Sequence, residues 1–257
     1  MSIKGTAVVL ALCGLLVLFL KAPTASAVTI AIGIGGGSTI TIQDNVSPLD
    51  IIPGLGVIGW NQINGSGFTV GPGIVREQIT TVTIGGIPTT YLAFLQLTGD
   101  PPFSNLVITN TGGGSASGTI VFQSAPFPAM DPLATSLISL DGFFENLAGP
   151  VGPLSSATLT GTVNGFAPVI GVFTAIPIPG VNPSPFTGEV LNQAPMVPPI
   201  TSLEGTLNWV LSAPGDMLVL PHSAVVQAPI PEPATLALFG FGLAGLVVLR
   251  RRRREAP

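Results

Sequence analysis

From residue 28 to residue 230 apolar and polar side chains alternate with a period of two, in short runs rich in Val, Ile and Thr. The runs are Val28–Ile34, Thr39–Ile42, Ile79–Ile84, Thr89–Leu97, Leu106–Thr111 and Thr119–Phe122, then Ala157–Val163, Val169–Thr174, Gly205–Leu211 and Ala224–Gln227. Gly, Pro, Asn and Asp separate them. Short half-buried strands joined by turn residues predict an all-β body, a sandwich or a barrel. One short helix is expected near Ala134–Leu147. Residues 176–200 hold Pro177, Pro179, Pro183, Pro185, Pro195, Pro198 and Pro199, which predicts a long surface loop or a linker between two β units. No strand–helix–strand alternation occurs, so a parallel α/β architecture is not expected. A single domain over residues 28–228 is the simplest division.

The two ends break this pattern. Met1-Ser2-Ile3-Lys4 precedes an apolar run from about Gly5 to Leu20, and the segment closes on Ala25-Ser26-Ala27. A positive start, an apolar stretch and a small-x-small ending make residues 1–27 a secretory signal peptide, with Ala25 and Ala27 at the cleavage site. Cleavage after Ala27 leaves Val28 as the new N-terminus. At the other end Pro231-Glu232-Pro233 precedes an apolar helix over 234–249, then Arg250, Arg251, Arg252, Arg253 and Arg254. Sixteen residues make about 24 Å of helix at ~1.5 Å each. That is short of a ~30 Å hydrocarbon core and needs local thinning to span. The arginines stay cytoplasmic by the positive-inside tendency, so the body lies on the exported side. Both ends predict the same topology.

Tripeptide, Gly-rich helix (Phe239-Gly240-Phe241-Gly242-Leu243-Ala244-Gly245-Leu246) and terminal arginines, in that order, resemble the PEP-CTERM sorting signal. The resemblance is confined to residues 229–254. It implies recognition by exosortase, a membrane-embedded transpeptidase-like enzyme, with processing near Pro-Glu-Pro, in Gram-negative bacteria that make exopolysaccharide. Proline cannot continue a helix, so the tripeptide stays extended outside the membrane.

Charge narrows the partners. Only 8% of residues are charged, against ~25% in ordinary soluble domains. Between residues 28 and 230 Arg76 is the one basic side chain against ten acids, a formal charge of 1 − 10 = −9. Nucleic acid is excluded as a partner, because phosphate binding needs clustered Lys and Arg. The only cysteine, Cys13, lies in the signal segment, so the mature body is expected to have no disulfide and no Cys nucleophile.

No constellation in the body points to catalysis, a cofactor or a metal. Gly54, Gly56 and Gly59 form a Gly-x-Gly-x-x-Gly pattern with Glu77 eighteen residues on, but Asn61-Gln62-Ile63-Asn64-Gly65-Ser66-Gly67 follows where a phosphate-binding helix belongs. A Gly-rich loop is the better reading. His222, the single histidine, stands in no nucleophile motif. Asp141 and Glu145 share a face of the expected helix, which alone is weak support for glycosidase chemistry. Asp100, Asp131 and Asp141 lie in no recognisable calcium loop. Thr-x-Thr pairs occur at Thr39/Thr41, Thr81/Thr83, Thr158/Thr160 and Thr160/Thr162. Such ladders can form ice-binding planes, but their irregular spacing reads better as outward strand faces.

The expectation is therefore a non-enzymatic surface or matrix protein, structural or adhesive. It is exported across the inner membrane, held first as a membrane-anchored precursor, and then displayed at the cell surface or in the matrix. Its partners would be signal peptidase, the secretion machinery, exosortase, the membrane and, as a candidate ligand, exopolysaccharide. The alternatives are a secreted polysaccharide hydrolase and an uncleaved, membrane-anchored binding module. Protein recovered from its host is expected to have an intact mass that begins at Val28 and ends within Pro231–Pro233. A mass retaining residues 234–257, found only in membranes, would overturn the sorting expectation.

Overall fold

The computed structural model describes residues 27–35, 38–52, 54–84, 86–99, 105–130, 136–145, 155–164, 166–192 and 199–228. Fifteen strands and no helix occur among them. In chain order these are β1 (Thr29–Gly35), β2 (Ser38–Gln43), β3 (Val57–Trp60), β4 (Ile63–Asn64) and β5 (Phe68–Val70). Next come β6 (Gly73–Ile84), β7 (Ile87–Gly99), β8 (Leu106–Asn110), β9 (Ala116–Gln123) and β10 (Ser136–Glu145). The last five are β11 (Ser156–Val163), β12 (Phe166–Ala175), β13 (Ser184–Asn192), β14 (Leu203–Leu211) and β15 (Met217–Ala228).

Every named pair is antiparallel. Sheet I has the order β12-β11-β14-β9-β1-β2. Sheet II runs β3-β6-β7-β15-β8-β5-β4, and β10 joins it between β15 and β13. The inward residues of both sheets meet in one core, in which Ile30, Phe122, Leu159 and Leu207 of sheet I face Leu95, Ile108, Leu140 and Leu218 of sheet II. Burying each such side chain contributes roughly 1.5–3 kcal/mol. At the centre the Phe68 and Trp209 rings meet edge to face at 4.6 Å and 79°, a geometry that contributes about 0.5–1.5 kcal/mol beyond area. The alternation read from sequence is visible directly: β11 runs intermediate–buried through all eight residues.

Two expectations are corrected. Ala134–Leu147 is no helix: its described part, β10, is a strand hydrogen-bonded on one side to β13 and on the other to β15. Pairing on both edges overrides a segment with weak helical preference. The proline-rich stretch 176–200 is neither a bare loop nor a linker, because β13 lies within it. Pro185, the one of these prolines within β13, sits on an edge strand, which tolerates a missing donor. Gly54–Gly56 form a turn that leads into β3, and Gly59 lies within that strand, so the Gly-rich reading holds as a turn feeding a strand.

Polar side chains tie the turns to the sheets. Buried Asn110 donates from Nδ2 to the Gly114 and Leu211 carbonyls at 2.7 and 3.2 Å. Fully buried Asp216 accepts from Ser155 Oγ, Ser212 Oγ and the Ala213 N–H at 2.9–3.0 Å. Asn164, at φ 56°, accepts on Oδ1 from the Thr201 N–H at 2.8 Å and donates from Nδ2 to the Pro199 carbonyl at 3.1 Å.

The two sheets close on one side where β12 meets β13. Gly188 leaves room there for the Phe173 ring, which a Cβ would overlap. Gly188→Ala is expected to lower stability by about 1–3 kcal/mol, seen as a lower urea midpoint with unchanged m. An unchanged midpoint would show that this closure is slack.

Candidate functional site

The outward face of sheet I is built by the same alternation that builds the core. Its strand register aligns outward residues in rows across the sheet. One row crosses Thr174, Thr158, Asn208 and Thr119. The next crosses Val172, Thr160, Thr206, Val121, Ala31 and Thr41. A third crosses Thr162, Glu204, Gln123, Thr29 and Gln43. Neighbouring strands lie ~4.8 Å apart, and successive rows ~6.7 Å apart along each strand. Within the first row Thr119 Oγ1 donates to Asn208 Oδ1 at 2.7 Å, and the Thr158 and Thr174 hydroxyls lie 3.1 Å apart.

Above this row is an open depression of about 340 Å³, with Ser117, Thr119, Ser156, Thr158 and Asn208 as its polar lining. Trp209 touches it from below; its buried indole N–H has no hydrogen-bond partner among the described residues. Glu204 is the one charged side chain in the three rows, and burial pushes its carboxyl above the ordinary value. The face offers hydroxyls, amides and methyls, with almost no charge.

Three of the four Thr-x-Thr pairs noted in the sequence, Thr39/Thr41, Thr158/Thr160 and Thr160/Thr162, stand on sheet I, whereas Thr81/Thr83 belongs to β6 of sheet II. Their irregular spacing in sequence becomes alignment through pairing. The lattice is broken by Val121, Ala31, Glu204 and Gln123, so it is not a uniform threonine plane.

A second cluster lies at the edge of the core. Asp44, 3% exposed, accepts on Oδ2 from the Gly56 N–H at 2.8 Å and on Oδ1 from the Asn45 amide. Asp50 accepts from the N–H groups of Asn45, Ile52 and Gly59. Glu77, on β6, donates its own N–H to the Gly56 carbonyl at 2.7 Å. Burial raises Asp44, the Gly56 N–H opposes this, and the charge of Asp50 adds to it. Burial pushes Glu77 up to about 7; the Ala125 N–H lowers it and the Asp44 charge raises it. Sequence reading of Gly54, Gly56, Gly59 and Glu77 thus picked residues that do meet, though not for the chemistry that pattern names. Asp44, the third partner, carried no sequence signal.

The other residues singled out from sequence are scattered. His222 lies in β15, and Asp141 and Glu145 in β10. Asp141 accepts a hydrogen bond from the Thr187 hydroxyl. Ala27 opens the described residues and is half-buried. Ala25, Cys13, Asp100, Asp131, Pro231, Glu232, Pro233, Arg250–Arg254 and the apolar segments 5–20 and 234–249 lie outside the described residues. Among the described residues no set of three or more His, Cys, Asp or Glu side chains is placed to hold a metal ion, and no helix is long and apolar enough to cross a membrane.

A protein-family model described as the PEP-CTERM protein-sorting motif matches residues 229–254. No curated protein matches the chain significantly. Among solved structures, the enzymatically active domain of tailspike protein 4 from bacteriophage CBA120 is 14% identical, with TM-score 0.31, over 63% of this chain and 19% of that one. This chain therefore spans about a fifth of the tailspike domain. TmCBM61, solved with β-1,4-galactotriose, is 8% identical, with TM-score 0.27, over 59% of this chain and 85% of that one. TmCBM27, a mannan-recognising carbohydrate-binding module, is 9% identical, with TM-score 0.27, over 67% and 98%. None of these likenesses amounts to a shared fold.

The Glu77 carboxyl gives a pH prediction for the full chain. Unfolded, it ionises near 4.5; folded, near 7. The folded state therefore holds the proton more tightly, so the contribution of this group to stability is largest below pH 4.5, falls as pH rises through 7, and then levels. Denaturation of the full chain in detergent between pH 4 and 8 should show this fall, and Glu77→Gln should flatten it. An equal slope in both proteins would refute the assignment.

Proposed function

We propose that this chain, which carries a PEP-CTERM protein-sorting motif at residues 229–254, is a surface or matrix protein whose body holds neutral polysaccharide on the outward face of sheet I. The motif marks the chain for sorting by exosortase, which requires export of the body. The observation that carries the binding reading is the face itself: rows of hydroxyl and amide groups on a rigid sheet, with one carboxylate among them. Neutral sugars present hydroxyls that such groups pair with, and C–H faces that threonine methyls cover. A body of formal charge −9 repels anionic polymers at low salt, which narrows the ligand to uncharged polysaccharide. Interruption of the threonine rows argues against an ice-binding plane.

A secreted hydrolase is the second reading, favoured by the meeting of Asp44 and Glu77. A carboxyl raised to about 7 beside another suits general acid catalysis. Against it, Asp44 is buried, and both its oxygens already accept hydrogen bonds from the protein. Substrate has no route to that oxygen pair. The body is accordingly read as non-enzymatic, and loss of a measured hydrolytic activity in Glu77→Gln would reverse this reading.

Binding is tested by retention of the processed protein on insoluble neutral polysaccharide and on exopolysaccharide from its host. Asn208→Ala and Thr158→Ala each remove one or two hydrogen bonds, about 0.5–1.5 kcal/mol apiece. Each is expected to weaken binding about 2–10-fold, with stability changed by less than ~0.5 kcal/mol. Undiminished retention by the double variant would sink the proposal.

A further inference from the structure

The carboxylate cluster has no counter-cation among the side chains around it, and the register shows where one can come from. In β1 and β2 Thr29 faces Gln43, and the Asp44 N–H donates to the Val28 carbonyl at 3.0 Å. Val28 therefore stands opposite Asp44. On its other side β1 pairs with β9, Thr29 facing Gln123, so Val28 stands opposite Ser124 with Ala125 next along. Ala125 is the residue whose N–H reaches the Glu77 carboxyl. The start of β1 thus lies between Asp44, whose charge acts on Glu77, and Ala125, whose N–H reaches it.

Val28 is wholly buried there, and Glu77 Oε1 is buried with no hydrogen-bond partner. Opposed residues that share a backbone hydrogen bond have Cα atoms ~5.5 Å apart, which sets the Val28 backbone beside that of Asp44.

We propose that removal of residues 1–27 supplies the missing cation, the new α-ammonium of Val28 pairing with Asp44 and Glu77. The proposal rests on the expected cleavage after Ala27. The groups facing the amine are Asp44 and Asp50 from the loop after β2 and Glu77 from β6, with uncharged Ser124 and Ala125 from the β9 side. Arg76 alternates to the exposed side of β6. Glu204, opposite Gln123, stands on the outward face of sheet I. An amide at Val28, as in the precursor, carries no charge. Cleavage therefore tightens the body only after export.

The chain lends itself to a direct test. Its lysines are Lys4 and Lys21, so the cleaved protein has one primary amine, at Val28. The full chain is expressed with its signal peptide in a bacterial host and recovered in detergent, and its N-terminus is established by intact mass. Acylation of the folded protein by isotopic acetic anhydride is then followed against pH on the Val28–Arg76 tryptic peptide. The amine is expected to titrate about one unit above the ordinary ~8, so acylation at pH 8 is several-fold slower than in Glu77→Gln and Asp44→Asn. Glu77→Gln, at a half-buried position, keeps the test valid where Asp44→Asn fails to fold. An amine that titrates near 8 and is unmoved by Glu77→Gln overturns the ion pair while leaving the cleavage reading intact. An N-terminus other than Val28 overturns both.

Discussion

The molecule depends on the antiparallel register across β11, β14, β9 and β1. In these strands every second residue enters the core, and the residues between them form the outward face. A slip of one residue would put Leu207 and Trp209 in water and bury Thr206 and Asn208. The Phe68–Trp209 contact pins this register to sheet II, because the Trp209 ring packs over Gly118, where a side chain would collide with it. Core and outward face are two readings of one constraint. The outward face needs no element of its own.

Scarcity of charge shapes the rest. In a body with a single basic side chain, ion pairs cannot fasten the loops, and no salt bridge occurs among the described residues. Hydrogen-bonded amides and carboxylates take that role: Asn110, Asn164 and Asp216 each gather several backbone or hydroxyl partners at a turn. Buried polar groups satisfied in this way cost little. Asp44 and Glu77 differ, since two neighbouring carboxyls in a partly dry site resist ionising together.

The chain also separates its sorting motif from its folded body. Residues 229–254 carry an address that is read by a membrane enzyme and is independent of the body's shape. The matched motif begins at residue 229, directly after the last described strand, β15. A body joined to such a signal needs only to fold after export and to present a useful face. An all-β body without cysteine suits that task, because burial alone stabilises it.

Much of this was legible in the sequence, for identifiable reasons. Period-two alternation is a local property, so ten strands were located from the pattern alone, and the sorting motif at residues 229–254 is linear and carries its meaning in residue order. β10 was misread as a helix, and β13 was hidden among prolines, because both are strands by virtue of their partners. The irregularly spaced Thr-x-Thr pairs were visible as residues, yet only hydrogen-bonded register turned them into rows. Asp44, Glu77 and Val28 are linked by no sequence spacing, since three different segments bring them together. By itself, the sequence determined the sorting motif of this protein and its strand class, because both depend on neighbours along the chain. Tertiary structure decided which outward residues share a face and which buried acids share a pocket, because those depend on neighbours across it.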